Sequence, residues 1–364
     1  MTGDGPASTA AAATARSPRA PLIVTQVLSD PANGGELTNP YARLLVESFS
    51  PRRVTTRYFR WKGVLTDRMD VLHVHWPEHW TRHRLKAVRF IKCIVLAVFL
   101  TRLRVQKTAI VRTVHNLAPH EKVSWPERFL QRYLDHVTTL RFVMNDSVPA
   151  RGPVRLVPHG HYRDWFFESA APRNSTPGRF LTFGQIRAYK GVDRLVEAFR
   201  SVSLDGATLV IAGRPDTEGT KEVLSGLAAG DTRIDLALRF LDDDELAAQI
   251  ASAEVVVLPY RQIYNSGAAL LALSMNRPLL MPDGPATRLL RDEFGPDWIM
   301  LFEGELTAGH LERSVDRAQR REPASVVDMT LREWPRLAEL LVDGYEDALS
   351  ITRGERTDLK EAGS

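Results

Sequence analysis

Short apolar runs and helical periodicities take turns along this chain. The runs PLIVTQVL (21–28), DVLHVHW (70–76) and TAIVRTVHN (108–116) are apolar enough to be buried strands, and shorter strands are expected at 139–144 and 154–157. Between them a helix starts near Tyr41, a long segment mixing cations with apolar residues spans 82–105, and a further helix covers 125–136. The rhythm then begins again, with strands at 180–184, 208–213, 235–240, 254–259 and 278–282 and helices at 191–202, 217–229, 243–252 and 266–275. In the first of these helices Val192, Leu195, Val196 and Phe199 recur at i, i+3, i+4 and i+7 and so share one face. Strands alternating with helices predict parallel sheets covered on both sides, so the expected fold class is α/β, with two doubly wound, Rossmann-like domains.

A chain of 364 residues has room for two cores. The polar, proline-containing stretch ESAAPRNSTPG (168–178) marks the boundary, giving a first domain over 21–168, a second over 169–330, and a helix at 331–352 that returns to the first. The opening residues 1–20 and the tail 353–364 are poor in large apolar residues and read as disordered. The opening has no apolar centre of the kind a secretion signal carries, and no apolar run reaches the ~18 residues of a membrane-spanning helix. A single cysteine, Cys93, excludes an internal disulfide and a cysteine-based zinc site and fits a reducing compartment, so the cytoplasm is the expected location. The formal net charge of +4 and a pI near 9.2 suit a protein that handles phosphates or meets an anionic membrane, but are too small to argue for nucleic acid.

Ligands of open parallel sheets bind beyond the carboxyl ends of the strands, which directs attention to the loops there. In RFLTFGQIRAYKGVDRLVEAFR (179–200) a strand ends at Gly184, exposes Arg187 and Lys190, turns at Gly191 and enters a helix. A glycine that allows close approach, a helix amino end and two cations make an anion site suited to a diphosphate; a solvated loop with its cations in water is the plain alternative. In the first half, strand ends place His73, His75, Glu78 and His79 close to His115, His120 and Glu121. Histidine titrates near neutrality, and a buried carboxylate with a raised pKa serves equally as a base, so His115, Glu78 and Glu121 are the candidate catalytic residues. His115 ranks first because it closes an apolar strand. HVHWPEH also has metal-ligand residue types, but the proline breaks their geometry and no metal site is expected.

The blocks FGQIRAYKGVDRLVEAF, LVIAGRP and VVVLPYRQIYNSGAALLALSMNRPLLMP resemble the nucleotide-sugar-binding half of glycosyltransferases with the GT-B fold, over roughly residues 154–285. HVHWPEHW and TVHNLAPHEK in the first half resemble bacterial exopolysaccharide glycolipid mannosyltransferases. The resemblance implies two Rossmann-like domains facing a cleft, acceptor on the first and donor on the second, with a nucleotide sugar as substrate and no cofactor. It implies donor contacts at Gly184, Arg187, Lys190, Gly213, Arg214, Tyr264, Asn265, Ser266 and Gly267, at His159 in VPHGHY, and at Gly34 and Gly35, with Glu36 beside them. The chain departs from the large retaining family of that fold in two respects. Where that family carries paired glutamates this chain has Ile263 and Leu271, and its usual first-loop arginine is Gln185 here. Asn265 and Ser266 are candidates to replace part of the missing hydrogen bonding, and equally to cap the following helix.

The glycolipid mannosyltransferase likeness implies GDP-mannose as donor, a lipid-linked or polysaccharide-precursor acceptor, and an inverting reaction. Segment 82–105 then has a natural reading as a peripheral contact with the anionic inner face of the plasma membrane, against a buried crossover helix with a solvated basic face. Two rivals share the fold logic: a sugar-nucleotide 2-epimerase, which turns over without an acceptor, and a non-catalytic nucleotide-sugar-binding subunit.

Overall fold

A computed structural model describes residues 20–28, 40–115, 124–166, 175–261, 263, 266–322 and 324–355. The first sheet holds β1 (Leu22–Val27), β2 (Val54–Tyr58), β3 (Val71–Val74), β4 (Ala109–Val114), β5 (Leu140–Val143) and β6 (Val154–Leu156), in the order β2-β1-β3-β4-β5-β6. The second holds β7 (Arg179–Phe183), β8 (Thr208–Ala212), β9 (Ile234–Ala237), β10 (Val255–Val257), β11 (Leu279–Pro282) and β12 (Ile299–Phe302), in the order β12-β11-β10-β7-β8-β9. Every pairing is parallel. The two expected doubly wound sheets are therefore present, and each gains an edge strand, β2 and β12, that the apolar pattern does not announce.

The helices of the first half are α1 (Pro40–Glu47), α2 (Glu78–Thr81), α3 (Lys86–Val105) and α4 (Trp125–Val137). The second half adds α5 (Val192–Arg200), α6 (Glu218–Ala228), α7 (Asp243–Ser252), α8 (Gly267–Ser274), α9 (Pro285–Phe294), α10 (Ala308–Arg320) and α11 (Trp334–Arg353). The final helix crosses back and packs on β4 and β5 of the first sheet. Its seat is close: a Cβ on Gly344 would stand 2.3 Å from the Phe142 ring. Arg155 ion-pairs with Asp343 and Asp347, and Arg53 with Glu339 and Glu346, fastening the same helix at its polar edge.

Strand order reverses between β1 and β3 in the first sheet and between β7 and β10 in the second. At such reversals the flanking connections leave on opposite faces and open a crevice at the carboxyl ends. The carboxyl ends of β3, β7 and β10 carry His75, Gly184 and the loop that leads to Ser266. A continuous apolar cluster joins the two halves, running from Val24, Phe142 and Tyr345 through Tyr41, Tyr162 and Trp334 to Leu270 and Leu279.

The segment 82–105 is largely α3, whose inner face buries Cys93, Leu96, Phe99, Leu100 and Leu103. Its outer face leaves Phe90, Ile91, Ile94 and Val98 exposed, and Trp125 and Phe129 of α4, stacked at 6.4 Å between ring centroids, are exposed as well. No helix among the described residues is long and apolar enough to cross a membrane.

Candidate active site

The β7–α5 loop is built by glycines with no alternative residue. Gly213 follows β8, and a Cβ there would lie 2.0 Å from the Gly184 carbonyl oxygen, so the two strand ends touch through bare backbone. Gly191 adopts φ +64°, the left-handed region, and a Cβ on it would meet the Pro259 carbonyl oxygen at 2.3 Å. Arg261 secures the same approach: its amide donates to the Tyr189 carbonyl at 2.8 Å and its guanidinium pairs with Asp193 at 2.7 Å. The loops after β7 and β10 are thereby locked together at the reversal point.

Into this corner project the two cations expected from sequence. The Lys190 ammonium lies over the Tyr260 ring, 5.2 Å from its centroid, and Arg187 donates to the Gln185 side-chain oxygen at 2.9 Å. Burial, and after it the positive charge of Arg187, lowers the Lys190 pKa to about 8. An anion placed between the two would relieve both effects. The Arg214 carbonyl accepts from the Ile186 amide, which ties the loop after β8 to this one.

On the opposite wall the HxH alternation of β3 puts His73 and His75 on one face of the sheet. His73 is fully buried, with Nδ1 2.8 Å from the Tyr345 hydroxyl and Nε2 2.7 Å from Thr113 Oγ1. His75 Nε2 lies 3.0 Å from Gln26 Oε1, and its Nδ1 lies 3.4 Å from His115 Nε2. The His115 ring stacks on Trp76 at 4.4 Å and meets Tyr41 edge-on at 5.3 Å. Burial holds all these imidazoles neutral: it brings the His75 pKa down to about 3, and with the neighbouring imidazoles takes His73 and His115 well below their ordinary value.

His159 joins the two walls. Its ring lies 4.5 Å from that of Tyr41, its Nδ1 is 2.7 Å from the Gly160 carbonyl, and burial lowers its pKa to about 4. A Cβ on Gly267, at the amino end of α8, would stand 3.7 Å from His159 Nε2 and 3.1 Å from the Tyr162 hydroxyl. Ser266 caps that helix, its Oγ accepting from the Ala269 amide at 3.1 Å. A cavity of about 170 Å³ beside this junction is lined by Asn145, His159, Ile263, Ser266, Glu293 and Arg332. Ile263 thus faces the cavity at the position where the retaining family carries a glutamate, and Leu271 is buried in α8.

Glu78 begins α2 just beyond Trp76, and the exposed His79 stacks on the same indole at 6.3 Å. Glu121, Tyr264, Asn265, Gly34 and Gly35, together with His120 and Glu36, lie outside the described residues. Among the described residues no group of three His, Cys, Asp or Glu is placed to hold a metal ion. Gln26, Tyr41, Trp76, Tyr260 and Tyr345 line these walls without having been singled out in sequence. The only local signal among them is Gln26, a polar residue inside an apolar strand.

Residues 177–304 match the family model described as Glycosyl transferases group 1, even though Ile263 and Leu271 replace the paired glutamates. A curated relative from Xanthomonas campestris pv. campestris, a GDP-mannose:glycolipid 4-beta-D-mannosyltransferase, is 39% identical over 337 residues, covering 92% of this chain and 95% of its own. Among solved structures, sucrose-phosphate synthase from Thermosynechococcus elongatus superposes with a TM-score of 0.56 at 16% identity, over 93% of this chain and 98% of its own. An alpha,alpha-trehalose-phosphate synthase (UDP-forming) from Burkholderia xenovorans gives 0.55 at 13% identity, over 92% and 98%. These structures share the GT-B architecture.

Proposed function

From a chain that belongs to the glycosyltransferase family of the Xanthomonas GDP-mannose:glycolipid 4-beta-D-mannosyltransferase, we propose an enzyme that moves mannose from GDP-mannose to a glycolipid acceptor with inversion. The observation that carries this reading is the convergence of Arg187 and the half-buried Lys190 at the β7/β10 reversal, where Lys190 already has a lowered pKa. The departing GDP gathers negative charge on its diphosphate as the glycosidic bond breaks, and two fixed cations stabilise it more as that charge grows. Arg187 grips two oxygens and Lys190 supplies a point charge.

The acceptor hydroxyl then approaches from the first-domain wall. His115 receives it, held between Trp76 and Tyr41, with Glu78 and Glu121 as the further candidates for the base. His159, Ser266 and Gly267 form the floor on which the transferred sugar rests, and Gly184, Gly213 and Arg214 shape the donor side. Tyr264, Asn265, Gly34 and Gly35 complete the donor contacts in this reading. No cofactor enters the reaction; the nucleotide sugar is itself the activated substrate.

A glycolipid acceptor is presented at a membrane surface, and α3 offers a face suited to it. Exposed Phe90, Ile91, Ile94 and Val98 enter the interface while Arg82, Arg84 and Lys86 meet anionic headgroups. In this reading the protein works peripherally at the cytoplasmic leaflet, supported by the exposed apolar residues of α3. Incubation with radiolabelled GDP-mannose, with and without a bacterial glycolipid extract, tests the reading. Label should enter the lipid fraction only when both are present. Conversion of the sugar without extract would instead identify an epimerase, and GDP-mannose binding with no turnover a binding subunit.

A further inference from the structure

His73, His75 and His115 belong to a single run of buried polar groups that reaches from the cleft to the C-terminal helix. From the Tyr345 hydroxyl one branch passes to His73 and on to Thr113, at 2.8 and 2.7 Å. The other passes through Gln26, whose Nε2 donates to the Tyr345 oxygen at 3.3 Å, to His75 at 3.0 Å and then to His115 at 3.4 Å. Tyr345 lies 272 residues from His73 and 319 from Gln26 in sequence. No local motif could assemble the set.

With the Gln26 amide nitrogen turned toward Tyr345, the branch to His115 has one consistent assignment of protons. The Gln26 amide nitrogen donates to Tyr345, so its carbonyl oxygen faces His75 Nε2, which must carry a hydrogen to satisfy it. A neutral imidazole has one N–H, so His75 Nδ1 is bare and accepts from His115 Nε2. His115 then carries its proton on Nε2 and its lone pair on Nδ1. On the other branch the Tyr345 hydroxyl, already accepting from Gln26, donates to His73 Nδ1, and His73 Nε2–H donates to Thr113. A second proton on His75 Nδ1 would face the His115 Nε2–H, a donor against a donor.

We infer that Gln26 and Tyr345 are positioning residues which, through His75, fix the tautomer and ring orientation of His115, so that Nδ1 is the nitrogen presented to the acceptor hydroxyl. The inference rests on the reading of His115 as the acceptor-side residue. Burial favours the neutral imidazoles it needs, since the His75 pKa stands at about 3. The edge-on Tyr41 and the stacked Trp76 hold the plane of the ring, while the hydrogen-bond run selects which nitrogen is protonated. In this arrangement α11 does more than cover the first sheet: it anchors the acceptor wall from behind.

The test uses the full chain labelled with nitrogen-15 histidine. Long-range proton–nitrogen correlation spectra of the unliganded protein should show His115 with Nε2–H and unprotonated Nδ1. Tyr345→Phe keeps the ring that packs on Phe142, removes the hydroxyl, and should move the His115 resonances toward a mixture of tautomers. Gln26→Leu should do the same, and each should lower kcat at least about tenfold while the Kd for GDP stays within about twofold. Circular dichroism melts confirm that each variant is folded; if Gln26→Leu does not fold, Tyr345→Phe decides alone. A His115 proton on Nδ1 in the parent would overturn the inference, as would tautomer and kcat unchanged in a folded Tyr345→Phe protein. If the tautomer is as stated but His115→Ala keeps parental turnover, the role of His115 fails while the hydrogen-bond run stands.

Discussion

The ammonium of Lys190 sits 5.2 Å above the ring of Tyr260, and this contact joins the loop after β7 to the loop after β10 at the point where strand order reverses. The aromatic face compensates part of the desolvation that a half-buried cation suffers, yet the pKa still falls to about 8. The contact therefore keeps a cation in place for an anion that is to arrive.

Loss of either cation should weaken GDP binding by about tenfold or more, since a charge-assisted hydrogen bond contributes roughly 1.5–3 kcal/mol. Arg187→Lys keeps the charge and loses the fork, so it should also weaken binding, though less than Arg187→Ala. Affinity should in addition fall as pH rises through about 8, where Lys190 loses its proton. Calorimetry with GDP between pH 7 and 9 checks all of this; a Lys190→Ala protein with parental affinity would remove the lysine from the site.

Gly213→Ala should damage both fold and site. The added Cβ would lie 2.0 Å from the Gly184 carbonyl oxygen, and φ of +149° is a conformation that alanine avoids. Relief requires backbone movement in the donor loop, with a cost of roughly 2 kcal/mol or more in stability. Urea unfolding should show that loss, together with a weaker affinity for GDP. Gly230→Ala is the control: it shares a positive φ, with open space around its Cβ position.

Acid should destabilise the protein well before its carboxylates protonate. His73, His75 and His159 are buried and neutral, with His75 at about 3 and His159 at about 4. Their folded pKa values lie below the unfolded one of about 6.5, so the unfolded chain binds more protons as pH drops below that value. Stability is complete above about pH 6.5 and each histidine removes up to ~1.4 kcal/mol per pH unit below it, until its own folded pKa is reached. Urea midpoints at pH 7, 6 and 5 should decline steadily; equal midpoints would mean that these imidazoles are not held neutral.

How much of this could be read along the chain depended on range. The β7–α5 corner was legible because Phe180 to Gly184 and Val192 to Phe199 announce a strand and a helix locally, with Arg187 and Lys190 between them. The HxH pair of β3 was legible for the same reason. β2 was not, because VTTRY is an edge strand with three of its five residues polar and a burial pattern that alternates with solvent. Tyr345 carries no sign of its role, since its partners are hundreds of positions away and meet it only through the return of α11. Arg89 shows the opposite error: among the basic residues of 82–105 it looks like a lipid contact, but it pairs with Glu127, which also bonds to Ser124 and Thr81. Burial would raise the pKa of Glu127, yet those bonds bring it down to about 2.

Membrane binding should therefore respond to some cations of this segment and not to all. Removing Arg84 and Lys86 together should weaken binding to anionic vesicles by about thirtyfold at low salt, at roughly 1 kcal/mol per lysine or arginine near the surface, and changing Ile91 and Ile94 to serine should weaken it as well. Arg89→Ala should instead lower stability, by about 3 kcal/mol if the carboxylate it leaves remains buried. Vesicle binding that is unaffected by both surface variants would mean that this face does not meet lipid.

Transfer of mannose to a glycolipid with inversion leaves its mark in the stereochemistry of the product bond. The purified protein is incubated with GDP-mannose and the glycolipid fraction that accepts label, and the anomeric configuration of the new linkage is read by NMR from the one-bond carbon–proton coupling. A β-mannosyl glycolipid should form, with stoichiometric release of GDP and only when the acceptor is present. An α linkage, or conversion of the nucleotide sugar without any acceptor, would contradict the proposed reaction.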